Sequence, residues 1–425
     1  MSEVIDLLIH SAHQLCTMPL QDGGPQRGLS LGDLGLIEDG ALAIDNSRIV
    51  AVGRSDELRA VYEPRTQIDA RGSLVTPGLV DPHTHAVWAG ERAGEFERRI
   101  GGATYQQIMA EGGGINATMQ ATRSADVDTL IAQSRLRLQR MMQHGATTIE
   151  VKTGYGLDTE SELNMLRAIA ALDAELPVDL VPTFLGAHAI PPEYADDSDE
   201  YVSLVVEAMI PAVAAWKAEN WPHTLFCDVF CETGAFSLNQ TRRILEAAKR
   251  HGMDLKVHAD EFDALGGTRL GVELGATTID HLVATPPEEI QALGKSTTVA
   301  VSMPPTPFGL GHSEYTPALE FLKADAALAI ATDCNPGTAW CESLQFVFAL
   351  ATRYLKLTQG QSLAAATVNA GFAVGRGGEI GTLMPGALGD VVIWQVDDYR
   401  YLGYRFGANL VQQVIKRGQT VYRQV

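Results

Sequence analysis

Eight short apolar runs through the middle of the chain constrain its fold more than any other feature. They read as strands over residues 74–80, 147–151, 178–185, 225–231, 254–257, 277–279, 298–302 and 328–331. Helix-like stretches, such as 126–144 and 241–251, separate many of them. Strand-length runs alternating with helix-length segments predict parallel strands joined by crossover helices. Eight of them predict a (β/α)8 barrel over an open doubly wound sheet. A short internal echo agrees: His144-Gly145-Ala146-Thr147-Thr148-Ile149-Glu150 is similar to Leu274-Gly275-Ala276-Thr277-Thr278-Ile279-Asp280. In both, a helix ends at glycine and feeds a β-branched strand.

The two ends look different. The first carries short β-like runs at 41–44 and 49–52, with Asn46-Ser47 at a turn. The last repeats the pattern at 391–394 and 410–415. Neither end is long enough to build a strong domain alone. They are expected to pair into one small β domain from residues 1–73 and 381–425, flanking a barrel over 74–380.

A chain of 425 residues can bury a large core. Its net charge of −20 sets aside nucleic acid and anionic membranes as partners. An anionic substrate would then need a local cation. Five scattered cysteines, Cys16, Cys227, Cys231, Cys334 and Cys341, lack zinc-ribbon spacing and read as reduced thiols of the cytoplasm. The start, MSEVIDLLIH, has early acids and does not read as a signal peptide. No apolar run reaches about 18 residues, so no membrane span is expected.

In such a barrel the active site lies at the C-terminal ends of the strands. Those ends are polar here. The first runs into Val80-Asp81-Pro82-His83-Thr84-His85. Residues i and i+2 of a strand share a side, so His83 and His85 aim two imidazoles at one point, which suits a divalent metal. His188 follows the third strand, His258 ends the fifth, His281 the sixth and Asp333 the eighth. His83, His85, His258 and Asp333 form a plausible set of three nitrogens and one oxygen with room for a water. Glu261 is placed to take a proton from that water and pass it to a leaving nitrogen. The plainer reading of Glu261 is a solvated acid beside Asp260 and Asp263. His281 can hydrogen-bond the water or polarise a carbonyl.

Lys152 follows the second strand, but the fourth ends in Cys231-Glu232 with no lysine to bridge two metals. One metal is therefore expected, with Lys152 structural or near the substrate. Arg92 follows the His-x-His motif closely and can grip a carboxylate; Arg98 and Arg99 read as solvated. The glycine loops at 112–114 and 153–156 fit no phosphate-binding pattern. They read as flexible walls of the mouth, with Tyr155 a candidate substrate contact.

The run VTPGLVDPHTH, the later His, His and Asp, and the closing GTLMPGALGDVVIW resemble the amidohydrolase superfamily along nearly the whole chain, which implies a metal-dependent hydrolase barrel with a small β-sandwich built from residues 1–73 and 381–425. The missing strand-four lysine resembles its mononuclear branch, shared by cyclic amide hydrolases and heterocycle deaminases. More narrowly, HTHAVWAGERAGEFERRIGGATYQQIMAEGGGI, VKTGYGLDTESELNMLRAI, TFLGAHAIPPEY, CETGAFS and ATDCNPGT resemble the imidazolonepropionase family of histidine degradation. That resemblance implies hydrolysis of 4-imidazolone-5-propanoate to N-formimidoyl-L-glutamate by a homodimer. It implies one zinc or iron per chain, on His83, His85, His258 and Asp333. It implies substrate contacts at Arg92, Tyr155, His188, Glu261 and Thr338, and product contacts at Asn335 and Gly337. Two other readings stay open: a deaminase of a heterocyclic base on the same barrel, and a non-catalytic scaffold. Ammonia release would select the first; loss of a ligand or of Glu261 would favour the second.

Overall fold

The computed structural model describes residues 3–103 and 113–424. Gly112 of the first glycine loop lies outside them. Both chain ends contribute to one mixed sheet of eight strands: β1 (Glu3–Cys16), β2 (Leu36–Asp45), β3 (Arg48–Arg54), β4 (Tyr62–Asp69), β5 (Leu74–Pro77), β14 (Val391–Trp394), β15 (Val411–Lys416) and β16 (Gln419–Arg423). The other eight form an all-parallel sheet in chain order: β6 (Leu79–Asp81), β7 (Ala146–Lys152), β8 (Asp179–Ala187), β9 (Phe226–Cys231), β10 (Asp254–Ala259), β11 (Thr278–His281), β12 (Val299–Ser302) and β13 (Ala327–Ile330). Past the ends of β6 and β13 the chain joins the two edges of this sheet. Asp333 N donates to His83 O at 3.1 Å, and His85 N donates to Cys334 O at 2.9 Å. This closure sets His83, His85 and Asp333 side by side.

The single strand expected over 74–80 is two strands in two sheets. β5 pairs antiparallel with β14, whereas β6 pairs parallel with β7. The break falls at Pro77-Gly78. A Cβ at Gly78 would collide with the Thr147 side chain, so only glycine lets the chain step from one sheet to the other here.

Alternation explains what the barrel encloses. Val80, Val181, Phe226, Val299, Val301, Ala327 and Ala329 form one buried apolar cluster, which fills the barrel interior away from the mouth. Ile149, Val151, Val229, Val257 and Ile279 belong to the main core, beneath the helices. Two of these helices, Val127–Gln143 and Thr159–Glu175, start at the capping carboxylates of Asp126 and Asp158. The helical run Ser198–Asn220, with a mean hydropathy of 1.3, is long and apolar enough to cross a membrane by length and composition. Its Tyr201, Val202, Val205, Met209, Ile210 and Val213 pack into the main core, as in a core helix of a globular protein.

Candidate active site

The expected ligands converge. His83 Nε2 stands 3.5 Å from Asp333 Oδ1, His85 Nε2 stands 3.6 Å from the same oxygen, and the Nε2 atoms of His85 and His258 are 3.5 Å apart. Atoms bound about 2.0–2.1 Å from a tetrahedral metal are about 3.4 Å from one another. His83 Nε2 is fully buried with no hydrogen-bond partner. Burial, ahead of the nearby cations, holds the His83 and His85 imidazoles well below the usual histidine range, so both are neutral and able to ligate. The set fits a metal ion. His83 and His258 also lie close enough to His281 to form a second three-residue grouping.

His281 and Asp333 reach the mouth through strained backbone. Asp260, His281, Leu282 and Asp333 have φ of 56°, 80°, 60° and 49°. Left-handed residues other than glycine cost about 1–3 kcal/mol each, which the surrounding fold must offset. At β11 the strain has a use. Strict alternation would turn Asp280 and His281 to opposite sides, yet both face the histidine cluster.

Beneath the ligands lies a charged layer that the sequence reading missed. Asp280 Oδ2 accepts from His83 Nδ1 at 2.6 Å, and Asp228 Oδ2 lies 2.9 Å from His258 Nδ1. A carboxylate on Nδ1 fixes the tautomer that leaves Nε2 free to ligate. Lys152 Nζ sits 2.7 Å from Glu150, 2.9 Å from Asp228 and 3.7 Å from Asp280. Burial alone would favour its neutral amine, but Asp228, Glu150 and Asp280 outweigh that and hold it charged. Lys152 thus belongs to this layer, and as an ammonium bound by carboxylates it offers no free amine for a bridging carbamate. Lys256 Nζ donates to Pro82 O at 3.1 Å, below the His-x-His turn. Thr306 Oγ1 donates to Asp333 Oδ2 at 2.6 Å, leaving Oδ1 toward the histidines. The signal was there in the i, i+2 spacing of Lys256 and His258 and in Asp280 beside His281. In sequence alone both runs read as apolar strands with polar tips.

Glu261 Oε2 is 3.5 Å from His281 Nε2. Its side chain is 11% exposed, so it is not a solvated acid. Burial, then Asp333 and Glu232, pushes its carboxyl well above the usual range. Burial likewise raises Asp333 to about 6 and lowers His188 to about 3. A pocket of about 370 Å³ opens over Glu261 and His281, with Thr306, His312 and Glu314 in its wall.

His188 stacks on His85 with centroids 4.8 Å apart, and the Tyr155 ring lies 5.3 Å from His188. Arg92 Nε donates to Glu95 Oε2 at 2.8 Å, and its guanidinium packs against Gly337, where a Cβ would collide with it. Asn335 Oδ1 accepts from Gly337 N at 2.9 Å and from Thr338 N at 2.8 Å. The structure therefore brings Arg92, Asn335, Gly337 and Thr338 together. Arg99, expected to be solvated, instead donates to Gly309 O at 3.2 Å.

Comparison with known proteins agrees. The Amidohydrolase family model matches residues 89–422, and the model "Imidazolonepropionase-like composite domain, bacteria" matches residues 40–62. The imidazolonepropionase of Herpetosiphon aurantiacus is 51% identical over 420 residues, covering 98% of this chain and 97% of that protein. That of Chloroflexus aggregans is 50% identical over 425 residues, with 99% of each covered. Among solved structures, E. coli guanine deaminase superposes with a TM-score of 0.75 at 15% identity, over 98% of this chain and 99% of its own. An adenosine deaminase from Xanthomonas campestris with bound zinc gives 0.71 at 18% identity, over 100% and 94%. At those identities the deaminases share the fold alone. Two relatives half identical along nearly their full length are decisive: the chain belongs to the imidazolonepropionase family of the amidohydrolases.

Proposed function

We propose that this chain opens the ring amide of 4-imidazolone-5-propanoate to give N-formimidoyl-L-glutamate, using one zinc or iron. The observation that carries the reading is the meeting of Nε2 of His83 and His85 with Asp333 Oδ1, with His258 Nε2 beside His85 Nε2, in the same mouth as Arg92, Asn335 and Gly337. His83, His85, His258 and Asp333 would hold the metal. When bound, it supplies Lewis acidity toward the attacking water and the ring carbonyl.

The chain's own residues do the rest. Arg92 pairs with the propionate and fixes the ring's orientation, supplying the local cation that a chain of net charge −20 needs. Tyr155 and His188 wall the ring, and Asn335, Gly337 and Thr338 line the side beside Arg92. Water adds its oxygen to the ring carbonyl carbon, and the carbon–nitrogen bond breaks. Glu261, as the carboxylate, takes the water's proton and returns it to the departing nitrogen; burial raises that carboxylate's affinity for a proton, which suits a group that must hold the proton between the two steps. His281, neutral because burial depresses it, donates or accepts beside Glu261. The new carboxylate and the formimidoyl nitrogen are those of the product.

The same reading makes the chain a homodimer of the cytoplasm, in keeping with five free cysteines, with no nucleic-acid or membrane partner. The test pairs elemental analysis of protein purified without chelator with turnover of imidazolone propionate. One metal per chain and stoichiometric formimidoyl-glutamate are expected. Ammonia release from a purine or pyrimidine, without imidazolone opening, would overturn the reading in favour of a deaminase.

A further inference from the structure

The loop that carries Tyr155 is tied down with unusual completeness. It runs from Thr153 to Leu157, with Gly154 at φ 100° and Leu157 at φ 54°. Its amides converge on one carboxylate: Gly154 N, Gly156 N and Leu157 N donate to Glu162 at 3.1, 2.8 and 2.9 Å. Glu162 is fully buried on the helix that follows the loop. Two of the loop's carbonyls face one guanidinium: Arg123 Nε donates to Gly156 O at 2.6 Å and Arg123 Nη2 to Leu157 O at 3.0 Å. Arg123 also pairs with Asp158 at 3.1 Å and with Glu193 at 2.8 Å. Glu193 lies a few residues past His188, so one side chain joins the loops after β7 and β8. The glycines fit tightly. A Cβ at Gly156 would stand 2.7 Å from Glu162 N, and one at Gly154 would stand 2.9 Å from Leu185 O.

The glycine held by Glu162 also sets His188. Gly154 N is bound by Glu162, and Gly154 O meets His188 Nδ1 at 2.9 Å. A carbonyl oxygen only accepts, so Nδ1 carries the proton and neutral His188 presents Nε2 as an acceptor. We propose that Glu162 and Arg123 are positioning residues that clamp the 153–157 loop from both sides, fixing the placement of Tyr155 and the tautomer of His188 for substrate binding. This rests on the reading above, in which Tyr155 and His188 contact the substrate.

The experiment measures kcat, KM and metal content for Glu162→Gln and Arg123→Gln, with Tyr155→Phe and His188→Asn in parallel, on imidazolone propionate. Imidazole nitrogen shifts report the His188 tautomer. A glutamine at 162 keeps the shape but loses the charge that binds three amides. KM should rise about tenfold or more while kcat changes less than about threefold, because contacts to the bound ring are lost and the proton relay is not. Metal content should stay at the parent level, and the His188 shifts should move toward a mixture of tautomers. Glu162→Asp should recover less than the parent, because the shorter side chain retracts the acceptor. If Glu162→Gln does not fold, Arg123→Gln, whose parent side chain is 24% exposed, carries the same expectation. Parent-like KM and an unchanged His188 tautomer in the clamp variants, while Tyr155→Phe or His188→Asn raises KM, would overturn the clamp and leave the substrate reading standing. Parent-like KM in both Tyr155→Phe and His188→Asn would instead overturn the substrate reading that the clamp rests on.

Discussion

Replacing Arg92 with leucine tests the substrate assignment most directly. The Arg92 side chain is 16% exposed and its guanidinium packs on Gly337, so a carboxylate bound there meets a largely desolvated cation. Removing one partner of such a pair costs about 2–5 kcal/mol. Two features of this site act in opposite directions. Arg92 is already bonded to Glu95, whose side chain is 18% exposed, so part of its charge is spent before substrate arrives. Once Arg92 is gone, however, Glu95 remains and repels the incoming anion. We therefore expect a loss of about 3 kcal/mol, or roughly 150-fold in kcat/KM at about 1.4 kcal/mol per tenfold. Most of it should fall on KM, with metal content unchanged. The double variant Arg92→Leu/Glu95→Gln should recover about fivefold, the scale of removing one like-charge repulsion of about 1 kcal/mol. The assay compares imidazolone propionate with an imidazolone lacking the propionate, and uses exposed Arg98→Leu as control. If the truncated substrate suffers as much as the full one from Arg92→Leu, Arg92 does not read the carboxylate.

His83→Ala or Asp333→Ala should lose both metal and turnover; full metal content with normal turnover in either would remove that residue from the ligand set. Glu261→Gln should keep its metal and lower kcat by about 10²–10⁴-fold, the range of a proton shuttle; an unchanged kcat would move the shuttle to another group. Asp280→Asn and Asp228→Asn should each weaken metal affinity about 10–100-fold, as loss of a carboxylate behind a ligating histidine does, read by competition with a chromophoric chelator. Asp179 should contribute acid stability. Burial opposes its charge, but Lys416 and Arg376 outweigh that and lower its pKa from the ordinary aspartate value to about 2. Because the folded value is the lower one, its contribution of about 2 kcal/mol is present above about pH 4 and is lost as pH falls toward 2. Asp179→Asn should flatten the difference in melting temperature across that window, and an unchanged difference would refute the pairing.

The sequence made some of this legible because strand geometry is local. His83 and His85 needed only a period of two and a strand end, and His258 and Asp333 needed only the barrel rule. Glu261, Arg92 and Tyr155 were legible from their places beside the ligand motifs and in a glycine loop; Asn335, Gly337 and Thr338 were named only by resemblance, and the structure sets them beside Arg92. What could not be read depends on contacts between distant strands. The charge of Lys152 has meaning only beside Asp228 and Asp280, which come from two other strands of the barrel. His281 shares a side with Asp280 only because its backbone turns left-handed, and nothing in TTIDH announces that. The split at Gly78 was hidden for a different reason. Two strands laid end to end are as apolar as one, and the side chain that forbids a Cβ there lies on a neighbouring strand.

The pairing of β5 with β14 has a consequence for synthesis on the ribosome. Val75 bonds beside Ile393, so one edge of β5 has no partner until more than three hundred further residues have been made. Throughout that time the nascent chain carries an unpaired apolar strand directly ahead of the His-x-His turn, the kind of edge that recruits other chains. A message cut short before Val391 would release a barrel with that edge still open. Such fragments should be found with chaperones or in aggregates, and the full-length product should not.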